Sequence, residues 1–534
     1  MGVKTEVKQA DPAPLDVSLA VKTVARTAVR NIVNLLKMDR VRVKPYLTLN
    51  PSYSIRQDGN RVILYGDADE ANQSQDWLSF IHPYYGMLLS FFSINNLTRK
   101  ERIKLCAEYF QKSQGFITTL LSPLIDNLEP FGTITKNGTR MSFPRNLLIS
   151  SSEPIIRKNE ISVDCIKYDG VPDFKNNRLS YPLNINLELT MSCITDCCYC
   201  YANRRCVSGK ALSTDRIIEL IREAKSNGVH NFDINGGEVM LHPDIRIILA
   251  ELLKNGFSPL ISTKIPLDED TLLYFKAIGL DYFQISLDSS EDEILTEMVK
   301  TSNGYIDAMT LTLRNASKLG IRVDINSVIT KYNSNIKQIE KLLEYLSQFQ
   351  AVKNIRLNPA GYSLYKDNFQ NIKTSKANLI TLESKVEDWK TKYNLDIRVS
   401  PYECKEMFYN DYKTSYFSKR AMCTGNVWNI VILPDGKVSI CEELYDHPQF
   451  IIGDLTEQSI QEVWNSEKAH ELFKATEIRH SSSACGQCDG IEICRTGAGV
   501  CWKMVLMAYG KDSWYYPDPR CSRAPFPTNN IYYE

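Results

Sequence analysis

Three observations predict an α/β fold with a parallel sheet. Four helix-periodic segments end in glycine and pass into β-rich runs: Gly228 before Val229–Ile234, Gly256 before Phe257–Ser262, Gly279 before Leu280–Leu287 and Gly320 before Ile321–Asn326. Glycine suits the left-handed position just past a helix end, and strands alternating with helices of about ten residues or more imply parallel pairing. Second, Leu183–Thr190 and Lys353–Leu357 flank this region as further strands, so six are expected. Third, the cysteines segregate: five of fifteen lie in 193–206, eight in 404–521, and Cys106 and Cys165 fall elsewhere. These shifts divide the chain into an N-terminal region 1–130, a connector 131–180, a sheet-forming region 181–395 and a cysteine-rich region 396–534.

With 534 residues the chain is long enough for several cores. Lys plus Arg equals Asp plus Glu at 63 each, so there is no basic footprint for nucleic acid. No apolar run approaches the roughly 18 residues of a membrane span, and Met1–Glu6 lacks a signal peptide's apolar region. A cytoplasmic protein with no nucleic-acid or membrane partner is expected, and there fifteen cysteines read as metal ligands rather than disulfides.

Residues 1–15 are polar with two prolines and are expected to be a disordered lead-in, followed by helical spacing over Leu19–Leu36. Tyr53–Arg56 and Arg61–Tyr65 read as strands joined by the turn Gln57–Asn60. An apolar helix over Pro83–Phe92 follows, and Thr98 caps a second helix expected to reach about Gln114. A hairpin followed by helices resembles the winged-helix element that binds leader peptides in peptide-maturation enzymes, which implies peptide recognition by 1–130; a plain capping domain fits as well. The connector holds short strands, including Phe143–Ile149.

Behind the strand Leu183–Thr190 stands Cys193-x3-Cys197-x2-Cys200. Three thiolates on one loop can curl around a single cubane cluster, since soft sulfur ligands suit iron–sulfur clusters. Three ligands to four irons leave one iron open, as a catalytic metal requires. A zinc loop or buried thiols is the alternative. This spacing, with Tyr199 before the last cysteine, resembles the radical S-adenosylmethionine (radical SAM) family, which leaves Cys198 as a spare. The resemblance implies a partial (β/α)6 barrel, a 4Fe-4S cluster whose open iron binds SAM, and its cleavage to a 5′-deoxyadenosyl radical.

Sites in such folds lie at the carboxyl ends of the strands. There Gly236, Gly237 and Glu238 look like the family's Gly-Gly-Glu element, which implies that Glu238 meets the SAM amino group; Val239 replaces the usual proline. Thr263 ends the third strand, and Ser286-Leu-Asp288 at the fourth resembles a motif that approaches the SAM carboxylate or ribose. Thr330 and Asn333 follow the fifth strand, and Asn358 ends the sixth near the implied adenine pocket. Polar residues at strand ends are also ordinary loop chemistry.

After a charged, helix-rich stretch come Cys423-x12-Gly436-x4-Cys441, Cys485-x2-Cys488-x5-Cys494, Cys501 and Cys521. The Pro434–Lys437 turn is a hairpin that brings Cys423 and Cys441 together. The order resembles the SPASM extension, which implies two auxiliary 4Fe-4S clusters: Cys423, Cys441 and Cys501 on the first, Cys485, Cys488, Cys494 and Cys521 on the second. The fourth ligand of the first comes from upstream in related enzymes, and Cys404 is the candidate. The six residues between Cys494 and Cys501 exceed the family's three. Zinc ribbons are the alternative. Sulfatase-maturing relatives place an aspartate base after the equivalent of Cys441, which implies Glu442 or Glu443 as the base here; a solvated pair is equally consistent. The aromatic C-terminus is expected to pack over the last cluster or to line a peptide groove.

The resemblance therefore implies a peptide maturase that abstracts hydrogen from a ribosomally made precursor peptide, giving a crosslink, thioether or backbone excision, with flavodoxin or ferredoxin as electron donor. A formylglycine-forming sulfatase maturase or cofactor-biosynthesis enzyme is the alternative within the class. A non-catalytic iron–sulfur or zinc protein that binds peptides or carries electrons is the alternative outside it.

Overall fold

The computed structural model describes residues 44–134, 140–202, 210–479 and 481–534. The expected lead-in and the helix over Leu19–Leu36 lie outside them. Contacts group the chain into two compact units, Met1–Asn176 and Asn177–Glu534.

In the first unit, β1 (Tyr46–Leu49) pairs with β7 (Leu148–Ser151), and β2 (Tyr53–Asp58), β3 (Arg61–Gly66) and β4 (Trp77–Ile81) form an antiparallel sheet. The β2–β3 hairpin turns at Gly59, whose φ is 59°, with Asp58 opposite Arg61 and a buried ion pair of 2.8 Å between them. Three helices follow, Pro83–Ser90, Arg99–Tyr109 and Gln114–Leu121. Thr98 caps the second through reciprocal bonds with Glu101, but this helix ends at Tyr109 because Ser113 opens a separate one by accepting from Phe116 N. The segment after residue 130 adds β5 (Phe131–Ile134) and β6 (Arg140–Phe143), and through β7 it is tied to β1.

The second unit contains six strands in the expected order: β8 (Asn184–Thr190), β9 (Asn231–Gly236), β10 (Ser262–Thr263), β11 (Tyr282–Ser286), β12 (Arg322–Ile329) and β13 (Val352–Pro359), with the third reduced from the expected Phe257–Ser262 to two residues at its end. Gly228, Gly256, Gly279 and Gly320 all take positive φ, between 66° and 85°. Two more strands join in parallel, β14 (Asp396–Val399) beside β13 and β15 (Asn429–Ile432) beside β8. Antiparallel β16 (Lys437–Ser439) and β17 (Ile451–Asp454) complete the order β17-β16-β15-β8-β9, and a second sheet runs β10-β11-β12-β13-β14. The ladder is interrupted between β9 and β10, so the barrel is partial.

Alternation along each strand separates two faces. Ile185, Leu187, Phe232, Ile234, Phe283, Ile285, Val323 and Ile325 lie buried in one core cluster with helix residues such as Leu220, Leu249 and Leu313. Each such side chain contributes about 1.5–3 kcal/mol on burial. The opposite positions are polar: Asn184, Asn186 and Glu188 on β8, Asp233 and Asn235 on β9, Gln284 and Ser286 on β11, and Asp324 and Asn326 on β12. A wall of this kind fits a site for a polar guest. Among the described residues no helix is long and apolar enough to cross a membrane.

Candidate active site

Cys193, Cys197 and Cys200 line one cavity of about 120 Å³ at the carboxyl end of the sheet, shared with Gly236, Gly237, Glu238, Thr263, Lys264 and Ser286. Thr195 Oγ1 lies 3.3 Å from Cys193 Sγ and 3.5 Å from Cys197 Sγ, pinning the loop. Among the described residues no three His, Cys, Asp or Glu side chains are close-set enough to hold one metal ion; the three cysteines share a cavity wall instead. Three thiols, with no fourth on the wall among the described residues, fit a cubane cluster with one open corner. Cys198 is absent from this wall, and burial pushes its thiol up to about 11.

The two glycines act on the chain itself. A Cβ on Gly236 would lie 2.3 Å from Thr190 O, and one on Gly237 2.2 Å from Ser192 O. Gly237 N donates to Thr190 O at 2.6 Å and Glu238 N to Ser192 O at 2.8 Å, so the turn after β9 is laced to the segment leading into Cys193. Glu238 is buried and accepts from Thr263 Oγ1 and Lys264 N, each at 2.8 Å, and from Met240 N at 3.2 Å. Burial raises its pKa against these donors.

Three residues expected at the cofactor are placed differently. Asp288 is 1 % exposed and fully engaged, accepting from the Tyr199 hydroxyl, from Lys264 Nζ at 3.2 Å and from Val328 N at 2.7 Å. Its backbone oxygen accepts from the buried Asn333 amide at 2.8 Å. Asp288 and Tyr199 thus brace the cysteine loop rather than face the cavity, because a buried carboxylate needs donors on every side. Asn358 spends its amide on Asn326 and Ser400 and is not on the cavity wall. Lys264, unassigned from the sequence, proves central. Burial opposes its charge, but Asp288 and the Cys197 and Cys193 thiols outweigh that and raise its pKa.

The downstream cysteines form two electrostatic groups. Cys441 and Cys423 each interact with Cys501, and Cys485 interacts with Cys488, Cys494 and Cys521, the last of which also meets Cys494. Close backbone approaches support the first: a Cβ on Gly425 would lie 2.3 Å from Ile440 O, and one on Gly499 3.3 Å from Cys423 Cβ. The long interval before Cys501 is taken up by the end of helix Ile491–Thr496 and a turn at Gly499 with φ of 71°. Burial pushes the Cys501 thiol up to about 11, as expected for a ligand that gives up its proton only to a metal. Arg495 donates to Cys485 Sγ at 3.6 Å, Arg420 donates to Cys494 Sγ at 3.7 Å, and Arg495 keeps Nε and Nη1 unpartnered. Buried guanidinium donors beside thiols fit an anionic thiolate cluster.

Cys404 does not join the first group. It forms an isolated bridge to Tyr533, and its charged neighbours are Glu406 and Lys376. Helix Asn410–Ser418 lies between Cys404 and Cys423 in the chain. Glu443 is half-buried and paired with Lys503, while Glu442 Oε2 accepts from Asn235 Nδ2 at 3.0 Å. Tyr533 at the aromatic C-terminus donates to Ala360 O at 2.6 Å and packs edge-on to Tyr402 and Phe369. Sequence reading missed Glu188, a lone charge in an apolar strand. Burial and the Glu442 carboxylate push it up to about 8.

Family comparison agrees with this layout. Residues 187–346 match the radical SAM superfamily, and 423–489 match the SPASM iron–sulfur cluster-binding domain. The chain carries a radical SAM domain and a SPASM domain. The PqqA peptide cyclase of Ruegeria pomeroyi is 25% identical over 348 residues, which cover 64% of this chain and 88% of that protein. The fold is similar to Streptococcus suis SuiB bound to S-adenosylmethionine, with a TM-score of 0.58 at 17% identity over 89% of this chain and 99% of that one. SuiB bound to its precursor peptide SuiA gives 0.57 at 17% over 88% and 98%. These matches make the chain an enzyme with a radical SAM domain, and its cysteines are the residues that would hold 4Fe-4S clusters.

Proposed function

We propose that this enzyme matures a ribosomally made precursor peptide by abstracting hydrogen from an unactivated carbon. The carrying observation is that Asn235 and Glu442 join two thiol sites on one polar wall, the Cys193/Cys197/Cys200 cavity and the Cys423/Cys441/Cys501 group. When bound, the cluster and SAM supply a 5′-deoxyadenosyl radical, and Cys193, Cys197 and Cys200 would hold that cluster. The chain's own part is placement. Gly236 and Gly237 fix the cysteine loop, Lys264 and Asp288 brace it, and Glu442 sits beside Cys441 where a substrate proton could be received.

Likeness to a peptide cyclase supports a peptide over a small molecule. Three antiparallel strands followed by three helices in the first unit support its reading as a winged-helix-like recognition domain. Such elements dock an extended peptide on a sheet edge. A cytoplasmic setting and a flavodoxin or ferredoxin donor complete the proposal. The test is anaerobic co-expression with each neighbouring short peptide gene, followed by mass spectrometry. Loss of two hydrogens or of a larger fragment on one peptide, abolished by Cys193→Ala, is the expected result. SAM cleavage with every peptide unchanged would overturn the peptide assignment.

A further inference from the structure

We propose that the inner face of β8 and β9 seats a cationic, donor-rich group of the substrate, an ammonium or guanidinium, on Glu188. In assigning that group to a lysine or arginine side chain, the inference rests on the peptide reading above.

Among the described residues, four buried acceptor oxygens on these two strands have no partner: Asn184 Oδ1, Asn186 Oδ1, Glu188 Oε2 and Asn235 Oδ1. Alternation puts residues 184, 186 and 188 on one face of β8, and Asn235 is the residue opposite Glu188 in the β8–β9 ladder. Residues 184 and 188 stand about 13 Å apart along the strand, so a single group reaches the Glu188–Asn235 pair rather than all four atoms. With Glu188 ionised, these two facing acceptors call for a group with several N–H donors and no acceptor, an ammonium or a guanidinium.

Charge points the same way. Asp288 is paired with Lys264 and Glu443 with Lys503, whereas no ion pair reaches Glu188 or Glu442 among the described residues. Glu188 is 1 % exposed, so without a cation it keeps its proton, and a cation that meets it favours the ionised carboxylate. Glu188 also lines a cavity of about 430 Å³ whose apolar wall includes Met191, Leu433, Tyr445 and Ile451, a sleeve for the methylene stem of a long basic side chain. The two lysines on this cavity are already held, Lys437 by Asp435 at 2.5 Å and Lys468 by Pro448 O at 2.8 Å.

The test titrates the anaerobically reconstituted holoprotein with N-acetyl-lysine methylamide and with the uncharged N-acetyl-norleucine methylamide, followed by ligand-observed NMR. Wild type is expected to bind the lysine probe about tenfold or more tightly, the effect of a hydrogen bond to a charged group. Glu188→Gln should reduce that preference to about twofold or less, while Glu188→Asp keeps part of it. Equal binding of both probes by wild type, or a preference that survives Glu188→Gln, overturns the assignment and leaves these oxygens to water. The wild-type comparison stands even if the variants fail to fold. Because the probes need no turnover, a cation preference seen while no precursor peptide is modified would sink the peptide reading and keep the site.

Discussion

Asn235 donates its side-chain amide to Glu442 Oε2 at 3.0 Å, tying the end of β9 to the residue that follows Cys441. Asn235 also precedes Gly236, which lines the Cys193 cavity. One short polar connection therefore links the wall of the radical-generating site to the first downstream thiol group. Glu188 stands opposite Asn235 in the β8–β9 ladder.

Gly237 is predicted to be intolerant of any side chain. Its added Cβ would meet Ser192 O at 2.2 Å and Met191 O at 2.8 Å, both backbone atoms leading into Cys193. Gly237→Ala should displace the loop and lower SAM cleavage by about a hundredfold, the scale of an ångström's misplacement at a reacting centre. Gly170→Ala, with nothing within 4 Å, is the control. Unchanged 5′-deoxyadenosine release by Gly237→Ala would refute this role.

Lys264 and Asp288 should depend on each other. Lys264→Met leaves the 1 %-exposed Asp288 without its cation and is expected to cost about 3–5 kcal/mol. The double variant Lys264→Met/Asp288→Asn should recover part of that loss. Anaerobic denaturant titration measures both, and additive losses would contradict the pairing.

Iron analysis separates Cys404 from the downstream ligands. Cys501→Ala should remove a cluster's worth of iron, about four atoms per chain, because the Cys501 thiol neighbours Cys423 and Cys441. Cys404→Ser should retain the wild-type iron content, since Glu406 and Lys376 are its charged neighbours. Equal loss in both variants would return Cys404 to the cluster.

Much of this was legible in the sequence, and the reasons differ by element. The four glycine-terminated helices are local signals, and three of the four strands behind them form where expected, while the one expected over Phe257–Ser262 shrinks to Ser262–Thr263. β10 is only two residues long and carries little pattern, and β14 and β15 follow charged or irregular sequence, so their addition to the sheet could not be read from periodicity. The spacing of the cysteines exposed the thiol groups. Lys264, Asp288 and Asn235 acquire their roles from partners 24 to 207 residues away, which no local pattern encodes. Glu188 did leave a trace, as a lone carboxylate between Leu187 and Leu189 on the polar face of β8.

Glu188 also predicts a pH dependence. Burial, with the Glu442 carboxylate, raises it from 4.5 to about 8, so the folded chain holds a proton that the unfolded chain releases. Its contribution to stability is present at low pH and is lost as pH rises towards about 8. Glu188→Gln lacks this dependence, so its stability relative to wild type should grow by a few kcal/mol between pH 5 and pH 8, then level off. Parallel denaturation profiles for the two proteins across that range would contradict the raised carboxyl.

The most direct test of the central claim is anaerobic incubation of the reconstituted protein with S-adenosylmethionine and dithionite, with 5′-deoxyadenosine measured by mass spectrometry. Wild type should release 5′-deoxyadenosine and methionine in equal amounts, and Cys193→Ala, Cys197→Ala and Cys200→Ala should each release none above background. No release from a wild-type protein carrying its full iron, or undiminished release from the three variants, would show that this loop does not generate the radical.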